Sequence, residues 1–250
     1  MDDEIQIRSV QTAFEILEVL VKTGGETPSH LAERLGRPGS TIHDYLRSLE
    51  QMGYAVAENG EYRASLRLLD QGERVRQSMR IYDVVAPRID ALAKQTGERV
   101  SLIIEENGLG VLVYSATGDE DENPPHAGAH EYLHVMSGGK AILAHFSQAR
   151  IEQIIDRYGL KEYTENTITD RERLLEELDT VRTRGYAICE AERYYGLNGV
   201  AVGLRPNKQL AGAISVYGPS TRLDGERLRE DLPERLVEFG NIIEVDFNYQ

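Results

Sequence analysis

One cysteine, Cys189, is present in the whole chain. A single thiol excludes an internal disulfide and fits a reducing cytosol. No run of about 18 apolar residues occurs, so no membrane-spanning helix is expected. The start, MDDEIQIRSV, is acidic and lacks an apolar stretch, so no secretory leader is expected either. Lysine is scarce, standing only at Lys22, Lys94, Lys140, Lys161 and Lys208. Acidic residues outnumber basic ones 42 to 28, for a formal net charge of −14. Taken alone, that balance argues against a broadly basic, phosphate-binding surface. There is no internal repeat and no low-complexity linker. What remains is 250 residues, 40% of them hydrophobic, enough for one large domain or two modest ones.

The stretch TPSHLAERLGRPGSTIHDYLRSLEQMG, from Thr27 to Gly53, reads as two short helices and a tight turn. Thr27 suits an N-cap and Pro28 a first helical turn. Leu31, Ala32 and Leu35 form one apolar stripe, and Gly36 ends the first helix. Arg37-Pro38-Gly39 makes the turn. Ile42, Tyr45, Leu46 and Leu49 then recur at helical spacing until Gly53. This is the helix-turn-helix pattern, with the second helix as the recognition helix. Thr27, Arg37, Ser40, Thr41, His43, Asp44 and Arg47 are the candidate contacts to bases or phosphates.

An earlier helix, Gln6 to Val21, is expected to carry Val10, Phe14, Leu17 and Val21 on one face. After the helix pair, Tyr54 to Ala57 reads as a strand and Glu58-Asn59-Gly60 as a hairpin turn, because Asn-Gly tolerates positive φ. Tyr62-Arg63 starts the return strand. Three helices and a hairpin make a winged helix-turn-helix, with Arg63 as the basic residue of the wing. Leu66 to Gln95 reads as one connecting helix, broken or kinked at Pro87.

The second half alternates strands and helices. Val100, Leu102 and Ile104 alternate with other residues as in a half-buried strand, and Val111 to Tyr114 return. Thr117 to Glu131 reads as a loop. Helices are expected at Gly139 to Phe146, Arg150 to Tyr158 and Asp170 to Arg184. Strands follow at Tyr186 to Cys189, Gly199 to Leu204 and Gln209 to Tyr217, with Pro206-Asn207 turning between the last two. A helical stretch, Arg222 to Val245, closes an α+β domain with an antiparallel sheet.

Ser137-Gly138-Gly139 stands where a helix opens. Backbone N–H groups there suit a carboxylate or phosphate, and glycine lets a ligand approach the backbone. The same glycines are also explained by a sharp turn into the helix. Gly139-Lys140 is not a nucleotide-binding loop, since His134 and Ala141 occupy positions that need Gly and Ser or Thr. His126, His130 and His134 recur every four residues. Pro124-Pro125 and the strand-like Tyr132 to His134 argue against the helix that would gather them on a metal, so no metal is expected. Glu190 and Glu192 lack a nucleophile or acid-base partner. Lys140 is expected to pack along the surface. Glu190 beside Cys189 is expected to raise the thiol's pKa. No cofactor is expected.

Together, GRPGSTIHDYLRSLEQMGY with GEYRAS, LHVMSGGKAILAHF, RGYAICEAERYYGLNGVAV and AGAISVYGPSTRL resemble the IclR family of transcription regulators over essentially the whole chain. The resemblance implies a winged helix over residues 1–70, a linker helix region over 71–97 and a GAF-like effector-binding domain over 98–250. It implies dimers or tetramers that bind a double-stranded DNA operator and regulate carbon catabolism. It puts Ser137, Gly138, Gly139, Cys189, Leu197, Gly199, Ser215 and Tyr217 at the effector pocket. The chain departs from the family at Asp44, where an arginine is common, and at Cys189, where an acidic residue is. Gly199 replaces a cysteine and Gly203 a proline. The acidic, lysine-poor composition resembles that of salt-loving archaea, where concentrated salt screens self-repulsion.

The expected function is a cytoplasmic, effector-controlled DNA-binding regulator, with a carboxylate or sugar-derived acid as effector. Two other readings stay open on residues alone. One is a helix-turn-helix scaffold for a protein partner, and the other an enzyme acting on a small carboxylate.

Overall fold

The computed structural model describes residues 7–118, 126–205 and 210–249. The expected Pro206-Asn207 turn and the Pro124-Pro125 pair lie outside the described residues. The chain divides into two compact units, Met1–Val75 and Arg76–Gln250. No helix among the described residues is long and apolar enough to cross a membrane.

The first unit contains α1 (Arg8–Thr23), α2 (Pro28–Leu35), α3 (Gly39–Gln51) and the hairpin β1 (Ala55–Glu58) with β2 (Glu61–Ala64). Thr27 caps α2, its hydroxyl accepting from the His30 N–H at 3.3 Å. Gly36 ends α2 at φ 60° and releases the chain into the turn. Asn59 and Gly60, at φ 52° and 85°, make the hairpin turn that the dipeptide favours. Glu26 and Tyr62 exchange backbone hydrogen bonds at 2.9 and 2.8 Å, pinning the wing to the entry of α2. The core gathers Ile16, Leu17 and Leu20 with Leu31, Ile42, Leu46, Leu49 and Ala55.

The apolar face of α1 expected at Val10, Phe14, Leu17 and Val21 is mostly not the buried one. Leu17 is buried, but Val10, Phe14 and Val21 are exposed, with Ile7 beside them. The helix has two apolar stripes of valid spacing, and only the packing of α2 and α3 selects between them.

The connecting segment is two helices rather than one: α4 (Arg67–Gln77) and α5 (Arg80–Thr96). Leu66, Leu69 and Val75 are exposed, whereas Ile81, Val84, Val85, Ile89, Leu92 and Ala93 are buried. Pro87 lies inside α5 without ending it. The packed residues on either side hold the helix through the one backbone bond that proline forfeits.

The second unit is built on a six-stranded antiparallel sheet, ordered β5-β4-β3-β8-β7-β6. The strands are β3 (Arg99–Glu106), β4 (Leu109–Thr117), β5 (His130–Tyr132), β6 (Ala187–Glu190), β7 (Leu197–Leu204) and β8 (Gly212–Pro219). One face packs on α5 and on α9 (Leu232–Tyr249), which follows a π-helical turn at Arg227–Asp231. The other carries α6 (Ser137–Leu143), α7 (Gln148–Tyr158) and α8 (Arg171–Arg184). Because both faces are covered, β3 is buried throughout its first half, not half-buried as its alternation suggests.

α6 is shorter than expected and begins two residues earlier. Lys140, expected along the surface, is 1% exposed and donates to the Glu192 carboxylate at 2.6 Å. Glu177 stands 3.8 Å from the same ammonium. Burial raises the Glu192 pKa, with Lys140 opposing that shift. Removing one partner of such a pair strands the other charge. Lys140→Met is expected to cost about 3–5 kcal/mol in denaturant unfolding, with much of it recovered on adding Glu192→Gln.

Candidate functional site

Two sites emerge, one in each unit. On the first, α3 buries Ile42, Leu46 and Leu49 and exposes Ser40, His43, Asp44 and Arg47 on the opposite side. These four follow the i, i+3, i+4, i+7 spacing of one helical face. Thr41 is half-buried beside them. Arg37 is held differently: its guanidinium donates to the Glu15 carboxylate of α1 at 2.9 Å. That clasp fixes the turn between α2 and α3. Arg63 is half-buried on the wing, with Nε 3.4 Å from Glu58 across the hairpin. Asp44 presents its carboxylate outward while its backbone carbonyl accepts from the Ser48 hydroxyl at 2.8 Å.

In the second unit, α6 and the segment after β6 stand above the sheet and border an open cavity of about 840 Å³. Register sets its floor. Cys189 pairs with Gly199, Gly199 with Tyr217, Tyr217 with Arg99 and Arg99 with Thr117, one row across five strands. The next row runs Ala201, Ser215, Ser101 and Ser115. Side chains in such rows share a sheet face. Ser137, Gly138, Cys189, Leu197, Gly199, Ser215 and Tyr217 all line the cavity.

Gly139 does not. A Cβ there would lie 2.1 Å from the Leu133 carbonyl oxygen. Its lack of a side chain serves the close approach of α6 to the 3-10 turn at Leu133–Val135. Gly138 faces Ile103, whose Cδ1 would be 2.4 Å from an added Cβ. Gly199 sits under Ser137, whose hydroxyl would be 3.0 Å from a Cβ.

Several lining residues carried no sequence signal. Arg99 and Ser101 were the polar partners in an alternating strand, a pattern that ordinarily marks a solvent face. Here they are 4% and 0% exposed. Arg99 Nη1 donates to the Tyr217 hydroxyl at 2.8 Å. Burial raises the Tyr217 pKa, with Arg99 opposing, so the phenol stays a neutral hydroxyl near pH 7. Arg193 and Glu131 form an ion pair at the wall, and the guanidinium stacks 3.9 Å from the Tyr163 ring centroid.

Cys189 is buried and its pKa is pushed up to about 12, first by burial and then by Glu192. The carboxylate responsible is thus Glu192, not the adjacent Glu190, which pairs with Arg229 at 2.7 Å. A thiol held protonated donates to the Val135 carbonyl at 3.3 Å and is no nucleophile. His134 is buried against the Lys161 carbonyl, and burial lowers its pKa. His126 and His130 face the carbonyls of Ala127 and Gly128. No cluster of three or more metal-ligating side chains occurs among the described residues.

Residues 9–58 match the family described as IclR helix-turn-helix domain, and residues 73–244 match the bacterial transcriptional regulator IclR C-terminal family. The chain belongs to the IclR family. It is 31% identical to the probable HTH-type transcriptional regulator ArcR of Halobacterium salinarum, covering 96% of this chain and 94% of that one. The Thermotoga maritima IclR crystal structure superposes with a TM-score of 0.82 at 28% identity, covering 97% of this chain and 99% of that one. A double mutant of the inducer-binding domain of the PobR transcription factor from Acinetobacter, solved with 3-hydroxybenzoic acid, aligns with 65% of this chain and 96% of its own. Its TM-score is 0.61 at 25% identity. An IclR regulator binds DNA through its helix-turn-helix and a small effector through its C-terminal domain, and is not an enzyme. The GAF-like α+β reading of that domain agrees with its structural relatives.

Gly139→Ala is expected to lower the melting temperature by several degrees, because its Cβ meets backbone that cannot give way. Gly138→Ala, facing a movable isoleucine end, is expected to cost less in the same melting experiment.

Proposed function

We propose that this IclR regulator acts as a homodimer on a pseudo-palindromic operator, with α3 in the major groove and an acid in the C-terminal cavity controlling affinity. The exposed Ser40, His43, Asp44 and Arg47 face carries the DNA reading, because nothing in the unit's core uses those side chains. Ser40, His43 and the flanking Thr41 are suited to base edges, Arg47 and Arg63 to phosphates, and Asp44 to a cytosine amino group. Thr27 and Arg37 serve by shaping the motif, as cap and as clasp. Arg47→Ala should weaken cognate and random DNA alike and reduce the salt slope of binding by about one unit. Electrophoretic titration over a KCl series measures both. Loss on cognate DNA alone would reassign Arg47 to a base.

Ile7, Val10, Phe14 and Val21 support the dimer. They stand exposed along one side of α1, at the spacing of a coiled-coil seam. One recognition helix buries little DNA surface, and two set about 34–36 Å apart read two half-sites. Phe14→Glu is expected to shift the sedimenting species toward monomer and to abolish footprints that span both half-sites. An unchanged dimer would move the interface elsewhere, including to a tetramer contact.

The effector reading rests on the cavity and its mixed hydroxyl, charged and apolar wall. We read the effector as a carboxylate or sugar-derived acid. The PobR domain solved with 3-hydroxybenzoic acid supports an acid of this kind. A ligand with different affinity for two arrangements of the protein would shift operator binding by that difference. A cytoplasmic setting follows from the DNA partner, and a concentrated-salt setting from the acidic, lysine-poor surface.

A further inference from the structure

The charged side chains around the cavity are already engaged. Arg193 pairs with Glu131, Arg222 with Glu98, and Arg99 donates to the Tyr217 hydroxyl. Most of the buried neutral polar groups are engaged too. Ser101 donates to Ser115 at 3.1 Å, the Cys189 thiol to the Val135 carbonyl, and the Asn198 amide to the Leu223 carbonyl. Two buried hydroxyls of the lining stand apart. Ser137, on α6, is 5% exposed, and Ser215, on β8, is 2% exposed. Neither side chain has a hydrogen-bond partner among the described residues. A buried hydroxyl ordinarily has a partner. Both of these border the cavity, so water or a ligand within it supplies that partner.

The two hydroxyls stand at neighbouring rows of the floor. A Cβ at Gly199 would lie 3.0 Å from the Ser137 Oγ and 3.1 Å from the Tyr217 Cβ. The missing side chain at Gly199 therefore leaves the Ser137 hydroxyl open toward the sheet. Ser215 is two residues from Tyr217 on the same strand and face, about 7 Å along it. Hydroxyls on separate carbons of one short chain can meet both serines.

A ligand hydroxyl both donates and accepts, so it matches a serine whichever way that serine turns. A methylene in the same place would displace water from the serines and offer no bond instead. Sites built on such bonds reject analogues lacking the hydroxyl far more strongly than apolar pockets reject an extra methylene. The cavity, at about 840 Å³, has room for a chain of several carbons with its hydroxyls.

We propose that Ser137 and Ser215 select an effector with hydroxyls on its carbon chain. This deepens the effector reading given above and rests on it: an acid so selected is a polyhydroxylated acid rather than a plain carboxylate.

Calorimetric titration of the full-length protein in molar KCl tests the selection. The probes are gluconate and threonate, their deoxy counterparts hexanoate and butanoate, and glucitol as a neutral polyol. The hydroxylated acids should bind more tightly than their counterparts by about a hundredfold, roughly tenfold for each serine. Ser137→Ala and Ser215→Ala should each weaken the hydroxylated acids about tenfold and leave hexanoate and butanoate unchanged. Each change removes one oxygen that no described residue bonds, so an unchanged melting temperature reports an intact fold. Equal affinity for hydroxylated and deoxy acids in the unaltered protein would overturn the proposal. So would an undiminished preference in both alanine variants, or no binding of any hydroxylated probe. The same titrations separate the two levels. Hexanoate bound without any hydroxyl preference removes the role of the serines and leaves the acid reading standing. Glucitol bound as tightly as gluconate, with the same loss in the alanine variants, supports the serines and removes the acid reading.

Discussion

The buried contact between Lys140 and Glu192 is the constraint on which the cavity of the second unit depends. Lys140 rises from α6, and Glu192 belongs to the segment that leaves β6. Their 2.6 Å contact ties together two walls that share no regular hydrogen bonding. Thr164 and Thr167 brace the same segment, donating to the carbonyls of Ala191 and Glu192 at 2.7 and 2.6 Å. Ala191 takes φ 54°, a conformation that costs a non-glycine residue energy and persists only where neighbours enforce it. The pair thus sets where Cys189, Arg193 and Tyr194 stand around the cavity.

Space in that cavity comes from missing side chains as much as from the curl of the sheet. Gly199 leaves the floor open beneath Ser137, and Gly138 lets α6 come down onto Ile103. At Cys189 a neutral thiol faces inward where an acidic residue is common in the family. Its high pKa keeps that position uncharged at neutral pH. Cationic groups of the lining stand at Arg99, at Arg222 and at Arg193, the last paired with Glu131.

The DNA-binding unit works against its own charge. Glu58 and Glu61 flank the wing's turn, and Asp44 sits among the exposed residues of α3. Each opposes phosphate at low salt. In molar salt the Debye length falls to about 3 Å, so only groups in direct contact still act. The Arg37–Glu15 clasp keeps the motif's turn rigid while neutralising both charges.

The sequence by itself determined the local elements whose causes are local. Thr27 and Pro28 start a helix, Gly36 stops it, Asn59-Gly60 turns a hairpin, and the stripes of α3 separate core from surface. The order of four motif blocks determined the family and with it the α+β effector domain. Most of the pocket wall was readable from the same blocks, down to Ser137, Cys189, Gly199, Ser215 and Tyr217. Tertiary structure alone decided which stripe of α1 is buried, because both stripes have helical spacing and only α2 and α3 choose between them. It alone decided that Gly139 meets Leu133 rather than a ligand, that Lys140 is buried, and that Arg99 faces a cavity rather than water. Alternation along β3 states that two faces differ. What covers each face is fixed by packing, α5 and α9 on one side and α6 to α8 on the other, and all of these but α5 lie well beyond β3 in the chain, so alternation along the strand does not encode that choice.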